Sequence, residues 1–341
     1  MKVKMLQTRG FIAVVFASIF VLPASPLQAQ LYKGKDGAEN YTTAGSFVVN
    51  RYAELGASVV SGAFSLSVTN IADLNGSVAF AKSVNPYTND ALSNGDLVMI
   101  IQMQGADMNT TNTSNYGTIT NYNGVGSFEL KTVYNVSGNT IYFCEGLVNA
   151  YTQSGRRRAQ IVRIPRLSSL TVASGVTITG NPWNGSTGGI VAIEVSGTTT
   201  VNGSISASEI GYRGGADNKG VSLGSGAASN SNYFSSTTNN HDAAKGEGIV
   251  GNQTDYESLG GSLGRGAPAN GGGGGNGHNS GGGGGSNAGT NGTLTPWNGT
   301  GVKHNANANF TAAWNLEYAG FATDVSVGGG RGGYSFSSSN Q

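Results

Sequence analysis

The chain has 341 residues, yet only 11% are charged and 56 are glycine; its length suits about two domains of ordinary size. Apolar residues still make up 38%, which supports a core and excludes disorder driven by charge repulsion. With 19 basic and 18 acidic side chains and a formal net charge of +1, the composition speaks against holding nucleic acid by its phosphates.

Residues 1–29 read as a secretory signal: Lys2, Lys4 and Arg9 precede the apolar stretch Phe11 to Leu22, and small residues lead to a cut after Ala29. That stretch is 12 residues long, short of the roughly 20 needed to span a bilayer. The expected location is therefore secreted or cell-surface. Removing the segment turns the net charge to −2. Cys144 is the sole cysteine, so no disulfide framework forms. Its setting in Thr140-Ile-Tyr-Phe-Cys-Glu predicts a small buried residue.

Residues 30–166 read as a β-rich domain, a barrel or sandwich. Short runs rich in Val, Ile, Phe, Tyr and Thr recur at Phe47–Tyr52, Ala57–Thr69, Leu97–Met103, Thr118–Tyr122, Phe128–Val136, Thr140–Leu147 and Gln160–Ile164. Ser137-Gly138-Asn139 joins two of them as a hairpin turn. Arg156, Arg157 and Arg158, with Arg163 and Arg166, form the one dense basic patch. It suits either an anionic polysaccharide or headgroup, or a hairpin tip whose charges keep an edge soluble.

Residues 167–215 read as β rungs of a solenoid. Leu170 and Val172, then Val176 and Ile178, alternate with Thr on either side of a Ser-Gly corner. Val191, Ile193 and Val195 then share one face of a half-buried strand. After Gly197 the alternation resumes at Val201, Gly203, Ile205 and Ala207. Two motifs return downstream: Pro182-Trp-Asn-Gly at Pro296, and Gly220-Val-Ser-Leu-Gly as Gly260-Gly-Ser-Leu-Gly. Such echoes fit stacked layers.

Residues 216–341 form a glycine-rich region with two runs of five glycines. A flexible linker is one reading. The other, favoured by the apolar residues flanking the runs, is a partly ordered layer of extended polyglycine II-like threads hydrogen-bonding laterally through their amides.

Catalytic motifs are weak throughout. Gly220-x-Ser222-x-Gly224 and Gly260-x-Ser262-x-Gly264 match the nucleophile-elbow pattern without its strand and helix. Gly272 to Gly277 matches a dinucleotide-binding pattern without the βαβ context. His241, His278 and His304 show no metal-ligand spacing, and no calcium-loop pattern occurs, so no cofactor or metal is expected. Trp183, Tyr212 and Trp297, beside Asn and Gly, are candidate sugar-stacking platforms, with a place in the core as the competing reading.

Gly95 to Gly105, Ala159 to Pro165, Trp183 to Ala192 and Gly211-Tyr-Arg-Gly-Gly215 together resemble secreted bacterial glycine-rich surface proteins. Such proteins often head adhesin-like chains in Bacteroidota, and similar glycine-rich modules occur in phage tail adhesins. The resemblance implies a surface location and adhesion, with no catalytic residue carried over. Many larger relatives end in a sorting domain for type IX secretion. This sequence ends Ser-Phe-Ser-Ser-Ser-Asn-Gln, so the resemblance implies part of a larger surface protein or another export route.

The sequence thus predicts an all-β protein: a barrel or sandwich, then solenoid-like rungs, then a glycine-rich layer. The expected function is a non-enzymatic adhesin or structural module presenting polar loops on a rigid scaffold. Its expected partners are glycans or proteins of a host, a cell surface or the environment, and not nucleic acid. Its speculative binding residues are Trp183, Tyr212, Trp297, Arg156, Arg157 and Arg158. The alternatives are a carbohydrate-active β-helix enzyme, a lyase or glycosidase with Glu194, Glu209 and Asp217 gathered in a groove, and a passive spacer.

Overall fold

Alternating sequence becomes strand wherever one face has somewhere to be buried, and in this chain two such places arise. The computed structural model describes residues 32–76, 90–219, 233–236, 242–275, 282 and 335–336. The segment 1–29, Trp297, the three histidines and most of the second five-glycine run lie outside the described residues.

In chain order the strands are β1 (Gly37–Tyr41), β2 (Gly45–Val48), β3 (Arg51–Glu54), β4 (Ser65–Ser67), β5 (Leu97–Gln104), β6 (Asp107–Met108), β7 (Ile119–Asn121) and β8 (Phe128–Ser137). They continue with β9 (Thr140–Phe143), β10 (Arg158–Ile164), β11 (Arg166–Val172), β12 (Val176–Thr179), β13 (Glu194–Val195), β14 (Thr199–Val201) and β15 (Ser204–Ile205). Among the described residues a 3-10 turn covers Ile71–Leu74, and a short α-helix, α1 (Gln253–Glu257), starts at an Asn252 capping box. The protein is all-β, as its sequence predicts.

β3, β10, β5, β8, β9 and β4 form one sheet in that order, antiparallel throughout and curled as a half-barrel. Its inner face carries the first core. Val98 and Ile100 of β5, Ala159 and Ile161 of β10, and Ile141 and Phe143 of β9 are buried there with Leu55, Leu66, Leu74 and Tyr151. The Gly138-Asn139 turn closes the β8–β9 hairpin, with Gly138 at φ 56°. On β9, inward Ile141 and Phe143 put Tyr142 and Cys144 on the opposite parity. Cys144 is exposed, which corrects the expectation that it is buried.

The second core lies inside parallel rungs. β1, β11 and β14 stack in register, as do β2, β12 and β15. Tyr41, Val172 and Val201 therefore form one column, and Phe47, Ile178 and Ile205 another. Val191, Ile193 and Val195 pack against this core, on one face as their spacing predicts. The first rung, β1 with β2, comes from far upstream of residue 167, where sequence alone starts the rungs. Pairing across such a separation leaves no local signature.

The glycine-rich segment forms the third body. Residues 243–248, 262–266 and 271–275 lie as irregular threads joined sideways: Gly246 N donates to Gly272 O (2.7 Å), Gly274 N to Gly264 O (2.9 Å) and Gly264 N to Ala243 O (3.0 Å). Residues 271–275 are buried. Lys245 pins the threads. Its fully buried ammonium donates to the carbonyls of Tyr233 (2.7 Å), Gly264 (3.0 Å) and Gly266 (2.6 Å) and lies 4.6 Å from the Tyr116 ring centroid.

Candidate functional site

The outer face of the antiparallel sheet is only half covered. Over β3 and β10, the segment around residues 181–192 forms a lid. Tyr52 donates its hydroxyl to Ile190 O (2.6 Å), Gln160 exchanges bonds with Gly188 (2.8 and 2.9 Å), and Asn50 does so with Ala192 (2.7 and 2.9 Å). Val162 and Ile164 beneath it are buried. The cover ends over β5, where Met99, Ile101 and Met103 are half-buried. Beyond it β8 is bare: Phe128 is 56% exposed, Leu130 51% and Tyr134 55%, with exposed Tyr142 on β9.

Register settles which residues share this face. Phe128 pairs with Ile101, Leu130 with Met99 and Thr132 with Leu97, while Tyr142 pairs with Ser65 and Asn135. The charged residues of β8 turn the other way. Glu129 and Lys131 stand 3.3 Å apart on the sheltered side. There the Glu129 carboxylate accepts from the amides of Val148 (2.9 Å) and Asn149 (3.0 Å) and from the Tyr151 hydroxyl (3.0 Å). Burial alone would raise its pKa, but these donors and Lys131 outweigh it and hold the carboxyl below the usual range. The outward positions of β4, β5, β8 and β9 carry no charge.

Thr132 ends the strip beside a cluster of charges. Arg166 Nη1 lies 3.3 Å from Thr132 Oγ1 and 3.1 Å from Gly95 O, while its Nε and Nη2 meet Glu194 at 2.5 and 3.3 Å. The Arg166 amide donates to Asp36 (2.6 Å). One carboxylate oxygen from each of Asp36, Asp90 and Asp96 lies within 4.8 Å of the other two. Arg163 Nη2 stands between Asp90 and Asp96, 2.9 Å from each, and Lys35 also pairs with Asp96. Asp96 is buried, whereas the Asp90 side chain is 43% exposed. Burial raises the Asp36 carboxyl above its usual range, and the neighbouring Asp96 adds to the shift. Three carboxylates could hold a divalent cation, but Arg163 and Lys35 already place positive charge among them.

The residues singled out in sequence lie elsewhere. Trp183 is 2% exposed and meets Tyr212 edge to face at 5.6 Å. It is a core residue, which corrects the expectation of a flat exposed face. Tyr212 donates its hydroxyl to Met103 O (2.5 Å). Arg156 pairs with Asp107 and donates to Ala106 O (2.5 Å). Arg158 takes Asp255 with both terminal nitrogens (2.7 and 3.2 Å). Arg157 packs its stem against Gly105. Hence Arg156, Arg158, Arg163 and Arg166 all meet carboxylates, and no open basic patch results from them. Of the acids named for an enzyme, Glu194 is clamped by Arg166 and Glu209 is exposed. The acids that converge are others, and their spacing in sequence gives no hint of it.

No protein-family model matches the sequence, and no curated protein does. Weak structural similarity connects it to phage tailspikes. The tailspike protein gp49 from Pseudomonas phage LKA1 matches 43% of this chain and 24% of its own at 16% identity and TM-score 0.19. The Pseudomonas phage phi297 tailspike gp61 matches 54% and 27% at 13% identity and TM-score 0.19. The Gp54 tailspike of Acinetobacter baumannii bacteriophage AP22, solved with a capsular saccharide, matches 49% and 27% at 14% identity and TM-score 0.22. The chain thus spans about a quarter of the length of these proteins. That the matched structures are tailspikes, one of them holding a saccharide, corrects the expectation of a protein without enzymatic activity.

Proposed function

We propose that this chain is a glycan-active β protein of the cell exterior, which binds a polysaccharide along the outer face of β8 and β9. One observation carries the reading. Phe128, Leu130, Tyr134 and Tyr142 are exposed on the half of the sheet that the lid over β3 and β10 leaves bare. Aromatic rings present a flat apolar surface with polar edges, which suits the C–H face of a sugar ring. Thr132, Asn135 and Ser65 add hydrogen-bonding groups among them. The saccharide bound to the AP22 tailspike is consistent with such a partner.

A second reading adds cleavage at the acidic cluster held by Arg163, which shares the inward parity of Ala159 and Ile161 on β10. The Asp36–Asp90–Asp96 cluster supports it, because glycoside hydrolysis uses two carboxyl groups, one of which holds a proton. Asp36, raised by burial, is the proton holder in this reading. Asp90, the more exposed partner, would face the opposite side of the bond.

The test is incubation of the purified protein with a panel of polysaccharides, reading both retention and release of reducing ends. Retention that is lost in Phe128→Ala, in a variant that melts like the parent, supports the binding face. Reducing ends that vanish in Asp36→Asn while retention persists support cleavage. Retention unchanged in Phe128→Ala together with Tyr142→Ala would sink the proposed site.

A further inference from the structure

From the charge layout of the strip we infer that its glycan is neutral, an uncharged polysaccharide and not a uronate or sialylated one. The inference rests on the glycan reading above and adds the class of sugar. The outward residues of β4, β5, β8 and β9 are Ser65, Ser67, Met99, Ile101, Phe128, Leu130, Thr132, Asn135 and Tyr142 among others, none of them ionisable near neutral pH. The two charges that β8 does carry, Glu129 and Lys131, face inward and pair with each other.

An anionic sugar needs cations, and guanidinium forks are the usual partners of planar carboxylates. Here Arg156, Arg158, Arg163 and Arg166 already meet Asp107, Asp255, Asp90 with Asp96, and Glu194. At the end of the strip the Arg166 guanidinium beside Thr132 is itself matched by Glu194. Among the described residues a polyanion laid along the outer face of β8 meets no outward cation on β4, β5, β8 or β9, whereas a neutral chain meets rings, aliphatic surface, hydroxyls and an amide.

The mixture also selects among occupants. Hydroxyl and amide groups alternate with the apolar residues instead of merging into one oily patch, which matches an amphiphilic sugar better than a second copy of this chain. Isothermal titration against neutral polysaccharides (dextran, a β-glucan, a galactomannan) and polyanions (alginate, polygalacturonate), at low and high salt, decides the matter. The expected result is binding to at least one neutral chain that does not weaken with salt. It should drop at least about tenfold in Phe128→Ala, as loss of one well-packed anchor does. Binding to polyanions alone, weakening with salt, would overturn the inference and leave the glycan reading standing. Binding to no polysaccharide, with a doubled mass by light scattering that Leu130→Ser returns to the monomer, would overturn both in favour of self-association.

Discussion

Lys131 Nζ lies 3.3 Å from the Glu129 carboxylate on the sheltered face of β8, while Phe128 and Leu130 between and beside them face solvent. The alternation is that of an ordinary half-buried strand turned over. Glu129 accordingly acts as a structural clamp. Removing it leaves two amides, a hydroxyl and an ammonium without their shared acceptor. Glu129→Ala should therefore cost about 3 kcal/mol, in the range for breaking a sheltered pair, whereas Leu130→Ser should leave the melting temperature nearly unchanged. The Glu129 carboxyl is held below its unfolded value of 4.5. Its stabilisation is thus present above that pH and is lost as pH falls through the lower folded value. Chemical denaturation of both variants across the acid range checks the ranking.

Asp36 titrates in the opposite sense. Its folded carboxyl lies above the unfolded value of 3.8, chiefly through burial, so the folded protein holds a proton that the unfolded chain releases. Stability contributed by the neutral form is present at lower pH and declines as pH rises from the unfolded value through the folded one. Asp36→Asn keeps an oxygen for the Arg166 amide and cannot ionise. The variant should show a flatter stability profile over that window. If Asp36 also supplies the proton for cleavage, reducing-end release should fall by about 100-fold or more with retention intact. A profile as steep as the parent's would remove the case for a proton on Asp36.

How far these features are legible in sequence depends on whether they are local. Leu170, Val172, Val176 and Ile178 announce their rungs, because alternation and a Ser-Gly corner lie within one short window. The first rung is invisible, because β1 and β2 find β11 and β12 across more than a hundred residues. Trp183 looks like a platform beside Asn184 and Gly185, but Tyr212 and the Ile210 carbonyl (2.8 Å from Trp183 N) enclose it from a distant part of the chain. Phe128-Glu-Leu-Lys alternates apolar with charged residues, and a period of two does not say which face is buried. The register is set instead by buried Val133 and by the bulge between Val133 and Asn135, which resets the phase before Val136. A strand whose pattern opposes its neighbours' burial is where function is sought, and that opposition appears only once β5 lies beside β8.

Lys245 offers a sharper test of the glycine-rich body than its glycines do. Burial pushes its ammonium well below the usual lysine range, yet three carbonyls and the Tyr116 ring are arranged to receive a cation. Lys245→Met keeps the length and removes every donor. The Gly266 carbonyl then loses its donor, at about 1–3 kcal/mol if no water enters, while the carbonyls of Tyr233 and Gly264 keep the amides of Gly266 and Gly274. The variant should lose the cooperative melting of this layer while the sheet, with its own core, still melts near the parental temperature. Separate tryptophan-independent probes, far-ultraviolet dichroism for the sheet and proteolysis near residue 245 for the layer, distinguish the two events.

Gly274 tests whether the threads are solid. A β-carbon placed on it would stand 1.9 Å from the Ala243 carbonyl oxygen and 2.6 Å from its carbon, distances no side-chain movement can relieve because both atoms are backbone. Gly274 N also donates to Gly264 O, which ties its own thread to a second neighbour. Gly274→Ala must therefore push residues 271–275 away from residues 243–248 and break the Gly246-to-Gly272 bond with them. In a tether the same substitution would be harmless or mildly stabilising, since it only reduces the freedom of the unfolded chain. Amide exchange across residues 243–275 separates these outcomes. The parent should protect the amides of Gly246, Gly264 and Gly274, and the variant should exchange all three at least about tenfold faster, in line with a loss of 1.4 kcal/mol or more. Equal and rapid exchange in both proteins would show that the threads are not joined in solution.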